Sequence, residues 1–378
     1  MLNSPSPEGS LDPRPRHDAD GPVETPPAAR DTRFMLMVVS GLVALGLGIG
    51  AAALPVPYVI ESPGPTFNTL GKDGGKPVIT ITGRDSFPAS GNLDLTTVVM
   101  AGGPKTPATI FDIFRAWLDP SKAVYPEELI YPKGTTAEQT VKQGEVAMET
   151  SQENAVAAAL RELDIPFEQR LTVAGLSEPS PSQGKIQEGD RLVSINGKAM
   201  TSMSVIQAEL VAAAGAPAAV VVDRKGSSVT ETITPTKNDA GRYVLGVLLA
   251  SDFTFPFDVR ISLDNVGGPS AGMMFALGIV DSLTPGDLTG GKHVAGTGTI
   301  TADGAVGPIG GIAQKMIGAR GQGATMFLAP AANCSDVVGH VPDGLQVVKV
   351  ETLADATSAV EKLASGGDTS GLPTCTNN

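Results

Sequence analysis

Apolar and polar positions alternate with several different rhythms along this chain, and each rhythm predicts an element. Residues 34–54, FMLMVVSGLVALGLGIGAAAL, carry no charge. As a helix they would cover about 30 Å of hydrocarbon, which predicts one membrane span. Residues 77–83 and 93–100 read as two strands joined by a Gly/Pro/Ser loop, either a hairpin or adjacent strands. Thr136 can cap a helix over 136–163, with Glu138 in its first turn and Val156, Leu160 and Leu163 on an apolar stripe. From about 167 to 237 the elements shorten: a strand at 171–174, a turn and strand ending at Asn196-Gly197, a helix at 204–214, and a hairpin over 218–233 around Lys225-Gly226. From 243 onward strands (243–249, 258–264, 294–301, 306–309, 325–329, 345–350) alternate with helices (270–282, 312–320, 333–339, 352–364), as in an α/β or α+β domain with one core. The helix over 270–282 is apolar on all sides until Asp281, so it is predicted to lie inside its domain.

Composition narrows the partners. The 378 residues suffice for two folded domains, and the net charge of −13 without a Lys/Arg cluster excludes nucleic acid. A protein or peptide partner fits better. Residues 1–33, rich in Pro, Ser, Asp and Arg, cannot bury enough apolar surface to order and predict a disordered tail. A cleaved signal peptide is the alternative to an anchor, since Ala51-Ala52-Ala53 resembles a cleavage site. The length of the run and the tail in front of it favour the anchor. Arg30 and Arg33 precede the run, and only Glu61 follows it before Lys72, which puts the N-terminus in the cytoplasm and the folded mass outside. Prolines over 55–65 predict a stiff extended exit from the bilayer. Residues 101–135, with five prolines around Trp117, receive no role. Cys334 and Cys375 can pair in an oxidising compartment and tie the tail to the body, although free thiols fit the sequence nearly as well. No metal spacing surrounds either cysteine, and neither metal nor cofactor is expected.

Two motifs carry chemistry. Ser270 sits in Gly267-Gly268-Pro269-Ser270-Ala271-Gly272 at the expected N-cap of the apolar helix. A cap serine is the bland reading. The glycines at 268 and 272 argue for more, because small neighbours let a substrate backbone approach and main-chain N–H groups can point at an oxyanion. Pro269 has no N–H, so the donors would be Ser270 and its neighbours. A serine nucleophile needs a base, and none of His17, His293 and His340 is well placed by pattern. Lys315, in the first turn of a helix entered through Gly310-Gly311, is the candidate. To be neutral at pH 7 its pKa must fall by about 3 units from 10.4, on the order of 4 kcal/mol, through burial or a helix N-terminus.

Gly268-Pro269-Ser270-Ala271-Gly272, then Gly296-Thr297-Gly298-Thr299-Ile300-Thr301 with Asp303-Gly304, then Pro308-Ile309-Gly310-Gly311 and Lys315, closely resemble the proteolytic domain of the Lon family of serine peptidases. The resemblance covers about 240–365, with strands near 77–100 completing the same sheet. It implies Ser270 as nucleophile, Lys315 as general base, Thr297 as the residue that supports the lysine, and a homo-oligomer. The β-rich stretch, through Gly189-Asp190 and Asn196-Gly197, resembles a PDZ domain, which implies a groove for an extended peptide between the strand after Leu171 and the helix 204–214. Ala174-Gly175-Leu176-Ser177 does not match the loop that would hold a terminal carboxylate.

The expected architecture is therefore α+β: a tail over 1–33, a transmembrane helix over 34–54, a membrane-proximal region over 61–165, a PDZ-like module over 166–240, a Lon-type proteolytic domain over 241–365 and a tail over 366–378. This layout resembles the membrane-anchored PDZ-Lon proteases of bacteria. It departs from Lon itself in the missing ATPase, so cleavage is expected to be ATP-independent. The phosphate-loop spacing of Gly286 to Lys292 has His293 where Ser or Thr should bind Mg²⁺ and is read as chance. The rivals are an α/β-hydrolase using Ser270, Asp336 and His340, a Ser182-x-x-Lys185 motif inside the PDZ-like loop, and an inactive scaffold whose PDZ module binds a partner.

Overall fold

The computed structural model describes residues 32–104, 106–132, 134, 136–263 and 266–376. The expected tail over 1–33 lies almost wholly outside them, as do Asp264 and Asn265. Thr32–Ala52 forms helix α1, which is long and apolar enough to cross a membrane. The chain from Ala53 onward is a separate compact unit.

That unit begins with β1 (Tyr58–Asn68), β2 (Asn92–Gly102), α2 (Ile110–Trp117), β3 (Ala123–Pro126) and α3 (Ala137–Glu162). The next stretch holds β4 (Glu168–Leu176), β5 (Arg191–Ile195), α4 (Met203–Ala213), β6 (Ala218–Arg224), β7 (Ser227–Ile233) and β8 (Val247–Thr254). It closes with α5 (Gly272–Leu283), β9 (His293–Gly296), α6 (Ile312–Gly321), β10 (Met326–Pro330), β11 (Gln346–Val350) and α7 (Leu353–Ala364).

One six-stranded sheet has the order β11-β10-β9-β2-β1-β3. Its β11, β10, β9 and β2 are parallel neighbours, while β1 runs antiparallel to β2 and β3. The residues expected to be a stiff exit over 55–65 thus largely become β1. The strand expected at 93–100 joins the sheet of the C-terminal segment, as the resemblance implied. Its expected neighbour does not pair with it: Ile79–Thr82 pairs instead with Asp258–Ile261 in a small ladder of its own. Period-2 alternation identifies a strand but leaves its partner open, and here the partner is distant in sequence.

The second sheet has the order β7-β6-β5-β4-β8 and is antiparallel throughout. It encloses its own core around Leu171, Ile195, Val220 and Ile233. The sequence reading ended this module at 240, yet Leu245 packs into its core and β8 pairs with β4 along its whole length. The module therefore continues to Thr254.

Helix α5 is the hub of the first sheet's core. Met273, Met274, Phe275, Leu277 and Ile279 are fully buried among side chains of β2, α3 and α7. Each such burial contributes about 1.5–3 kcal/mol, so the all-round apolarity seen in the sequence fixes this helix in the interior. Helix α3 starts in a capping box in which Thr136 and Gln139 exchange side-chain to backbone hydrogen bonds. Cys334 and Cys375 form a disulfide across 41 residues, tying the C-terminal segment to the body beside the core formed by α6, β10 and β11. Closing a loop of that length restricts the unfolded chain by up to about 4 kcal/mol. The variant Cys375→Ser should unfold at lower denaturant than wild type, with a somewhat larger m-value because the unlinked unfolded chain exposes more surface, and a loss no larger than about 4 kcal/mol; an unchanged midpoint would show the bond to be thermodynamically idle.

Candidate active site

Four segments meet at the N-terminal end of α5. The loop before Ser270 is held by α3: Gly268 N–H donates to the Gly144 carbonyl at 2.9 Å, and Ser151 Oγ donates to the Pro269 carbonyl at 3.0 Å. Gly268 has φ +86°, a conformation open to glycine at no steric cost. At Gly272 the reason for glycine is space, because a Cβ there would lie 2.7 Å from Ser151 Oγ and 2.8 Å from the Ile300 side chain. Both flanking glycines are thus needed to build the turn that presents Ser270.

Ser270 is not the cap. Ala271 occupies the N-cap position, the helix begins at Gly272, and no side chain caps it. The Ser270 hydroxyl has no hydrogen-bond partner among the described residues and faces a cleft of about 550 Å³ that Lys315 also lines. Among the described residues, the N–H groups of Ser270 and Ala271 also take no hydrogen bond, which leaves them free to donate to an oxyanion.

The strand expected over 294–301 stops at Gly296. There the chain turns so that Gly298 N–H donates to the Ser270 carbonyl at 2.8 Å, and Thr297 Oγ1 donates to the same carbonyl at 3.0 Å. Lys315 arrives from the first turn of α6, is 3% exposed, and its Nζ donates to Thr297 Oγ1 at 3.1 Å. A fully buried Thr297 therefore links the lysine to the backbone of Ser270.

Burial lowers the Lys315 pKa to about 8, and the neighbouring Glu61 opposes that fall. The drop falls short of the 3 units that neutrality at pH 7 calls for, and Glu61 supplies the reason. This carboxylate, 6% exposed on β1, is itself raised by burial, while Lys315 and a hydrogen bond with Tyr125 pull it back down. Glu61 and Tyr125 are the site residues that sequence reasoning misses. The signal for Glu61 is a lone carboxylate among Tyr58-Val59-Ile60, legible only as an oddity until β1 is paired.

The rival constellations do not assemble. Asp336 and His340 do not line the cleft of Ser270; Asp336 accepts from Asn333 at 3.3 Å, and the His340 N–H donates to the Val337 carbonyl. Ser182 donates to the Leu245 carbonyl at 2.6 Å, and Lys185 donates to the Thr232 carbonyl, so both are structural. In the Gly286 to Lys292 stretch, Asp287 accepts from Ser90, and Thr289 donates to the Ser90 carbonyl at 2.6 Å. Only Thr289 of that loop is buried; Gly286, Asp287, Leu288 and Gly290 line a separate cavity of about 540 Å³ together with Glu162, Asp281 and Glu361. Among the described residues, no three His, Cys, Asp or Glu side chains form a cluster able to hold a metal ion.

A second groove, of about 290 Å³, lies beside the other sheet between Met203, Ile206 and Leu210 of α4 and the segment from Tyr243 to Leu249 that leads into β8. This corrects the expected position. β4 pairs with β8 along its length and with β5 over residues 171–173, and among the described residues the outer edge of β8 is unpaired. The Asp303 carboxylate accepts from the Ser204 N–H at the start of α4 at 3.0 Å and pairs with Arg161 of α3 at 3.1 Å.

Residues 263–362 match the Lon protease (S16) C-terminal proteolytic domain, and residues 144–216 match the PDZ domain. The chain carries a Lon-type proteolytic domain and a PDZ domain. It is 44% identical over 70 residues to the Lon protease of Roseiflexus castenholzii, covering 18% of this chain and 8% of that one. It is 37% identical over 101 residues to Lon protease 1 of Sorangium cellulosum, with 26% and 12% covered. The Lon protease of Campylobacter concisus is 32% identical over 145 residues, with 36% and 17% covered. The chain thus spans less than a fifth of the length of these curated relatives. Among solved structures, the PDZ domain of an SdrC-like protein from Listeria monocytogenes is similar at 17% identity and a TM-score of 0.20, covering 21% of this chain and 85% of that one.

If Glu61 is what keeps the lysine charged, Glu61→Gln should move the titration midpoint of Lys315 below about 8. Nuclear magnetic resonance of the labelled ammonium group reads it directly. An unmoved midpoint would mean that desolvation alone sets it.

Proposed function

We propose that this protein is a membrane-anchored serine endopeptidase that works without ATP, with Ser270 as nucleophile and Lys315 as general base. The observation that carries the reading is the buried lysine tied through Thr297 to the backbone of Ser270, in one cleft with a Ser270 hydroxyl that has no hydrogen-bond partner among the described residues. With a pKa of about 8, roughly one Lys315 in eleven is neutral at pH 7. That is enough to act, where an ordinary lysine offers about one in a few thousand.

Neutral Lys315 takes the hydroxyl proton as Ser270 Oγ attacks the scissile carbonyl. The oxyanion that forms is within the province of the N–H groups of Ser270 and Ala271 at the positive end of α5, which donate to nothing among the described residues. Collapse breaks the C–N bond, and the Lys315 ammonium returns the proton to the leaving amine. Water then attacks the acyl ester, Lys315 takes its proton and passes it to the Ser270 oxygen, and the dyad is restored. Thr297 positions the amine and has no bond to make or break.

The PDZ groove supplies selection. An extended segment of a protein substrate adds to the free edge of β8 and places alternate side chains against Met203, Ile206 and Leu210. Helix α1 is the anchor, with the N-terminus cytoplasmic and the folded unit outside; the Cys334–Cys375 disulfide supports an oxidising compartment for that unit. ATP independence is supported by the carboxylates of Glu162, Asp287 and Glu361 that line the cavity beside the phosphate-loop spacing, a surrounding that disfavours phosphate. Assembly into a homo-oligomer belongs to the same reading.

Cleavage of an unfolded protein by the full chain without nucleotide tests this. Ser270→Ala and Lys315→Ala should each lower kcat/KM by about a thousandfold or more, and His340→Ala should leave it unchanged. Loss with His340→Ala, or retention with Lys315→Ala, contradicts the dyad. The wild-type rate should climb tenfold per pH unit below about 8 and level off above it, because only the deprotonated amine is competent. Met203→Asp, at an exposed groove position, should raise KM about tenfold with little change in kcat; an unchanged KM would remove the groove from substrate selection.

A further inference from the structure

Helix α2 turns its large apolar side chains outward. Ile113 and Ala116 are buried with Ile60 and Ala108. By contrast Ile110, Phe111, Phe114, Trp117 and Leu118 all face solvent, Phe114 at 55% and Trp117 at 72% exposure. Positions 110, 114, 117 and 118 fall on one stripe of the helix, with Phe111 beside it. A contiguous aromatic face of this kind marks an interaction surface.

What covers it follows from how the chain holds α2. The short strand Pro55–Val56 pairs antiparallel with Ala108–Thr109, and the Ile110 N–H donates to the Leu54 carbonyl at 3.2 Å. Leu54 is two residues along the chain from Ala52, the last residue of α1. The first residue of α2 is therefore bonded to the point where the chain leaves its apolar helix. The composition of the face is that of a membrane interface, where Trp and Phe settle at headgroup depth. The Arg115 guanidinium stacks over the Phe111 ring at 5.8 Å, a position from which a charged head reaches water while its stem covers the apolar patch.

We propose that the face of α2 formed by Phe111, Phe114, Trp117 and Leu118 lies in the outer headgroup layer of the bilayer, next to the exit of the anchor. This rests on the reading of α1 as a membrane anchor. The net charge of −13 gives no preference for anionic lipid, so the occupant is a zwitterionic lipid surface. The consequence is a second attachment at the start of β1, the strand that carries Glu61 and whose Pro65 and Phe67 line the cleft of Ser270.

Trp117 is the only tryptophan in the chain, so tryptophan emission, excited where the four tyrosines do not absorb, reports this face alone. The full chain would be reconstituted in phosphatidylcholine vesicles with and without acyl-chain brominated lipid, and the same vesicles extracted with alkaline carbonate. Retention in the membrane with a loss of about half the emission to brominated lipid is the expected result for an interfacial tryptophan. Phe111→Ser with Phe114→Ser, two exposed positions, should abolish most of that loss while peptidase activity is kept. Retention without quenching overturns the inference and leaves the anchor standing. Emission shielded from both brominated lipid and aqueous iodide overturns it in favour of a second copy on this face. Release by carbonate overturns the anchor reading and the inference with it.

Discussion

The whole arrangement depends on burying one ammonium group. Lys315 is almost without solvent, and a charge in that position is stable only if its surroundings are polar enough to hold it and apolar enough to let it go. Thr297 accepts its hydrogen bond and Glu61 supplies opposite charge, while desolvation pulls the other way. The balance leaves a pKa of about 8, roughly 3 kcal/mol below an ordinary lysine when expressed as free energy. A deeper burial without Glu61 would leave more of the amine neutral at pH 7, as a weaker base. Tyr125, through its bond to Glu61, belongs to the same balance.

The scaffold makes that burial affordable. Lys315 comes from α6, Thr297 from the turn after β9, Ser270 from the loop before α5 and Glu61 from β1. These four come together because β9 and β1 both flank β2, with α5 filling the core behind it. A one-residue slip in the β1–β2 register would move Glu61 from one face of the sheet to the other. On the outer side, the Asp303 carboxylate accepts from the Ser204 N–H and so links the start of α4 to the hairpin that follows Thr297.

The sequence made parts of this legible and left other parts dark, for physical reasons. Ser270 and Lys315 stand out because their local chemistry demands unusual neighbours: Gly272 has no room for a Cβ, and Gly268 needs a positive φ. The burial of α5 was plain from its uninterrupted apolar surface. Glu61 was invisible as a site residue, because its meaning depends on which strands β1 joins. The same gap explains two misplaced pairings. Ile79–Thr82 has a clear strand pattern but finds its partner at Asp258–Ile261. The strand Val247–Thr254 alternates as any edge strand does, and only its register with β4 shows that it closes the PDZ sheet and moves the groove. Helix α2, with prolines on both sides, gave no reading until its exposed face could be seen.

The claim at the centre is that a neutral Lys315 activates Ser270. The most direct measurement is the rate of acylation of the full chain by a peptidyl β-lactone, followed by intact mass and localised by peptide mapping, as a function of pH. The account predicts a single adduct on Ser270, a rate governed by one ionisation near 8, and loss of that adduct in Lys315→Met. An adduct that forms on Ser270 at the same pH-independent rate with Lys315→Met, or that maps to another residue, would contradict it.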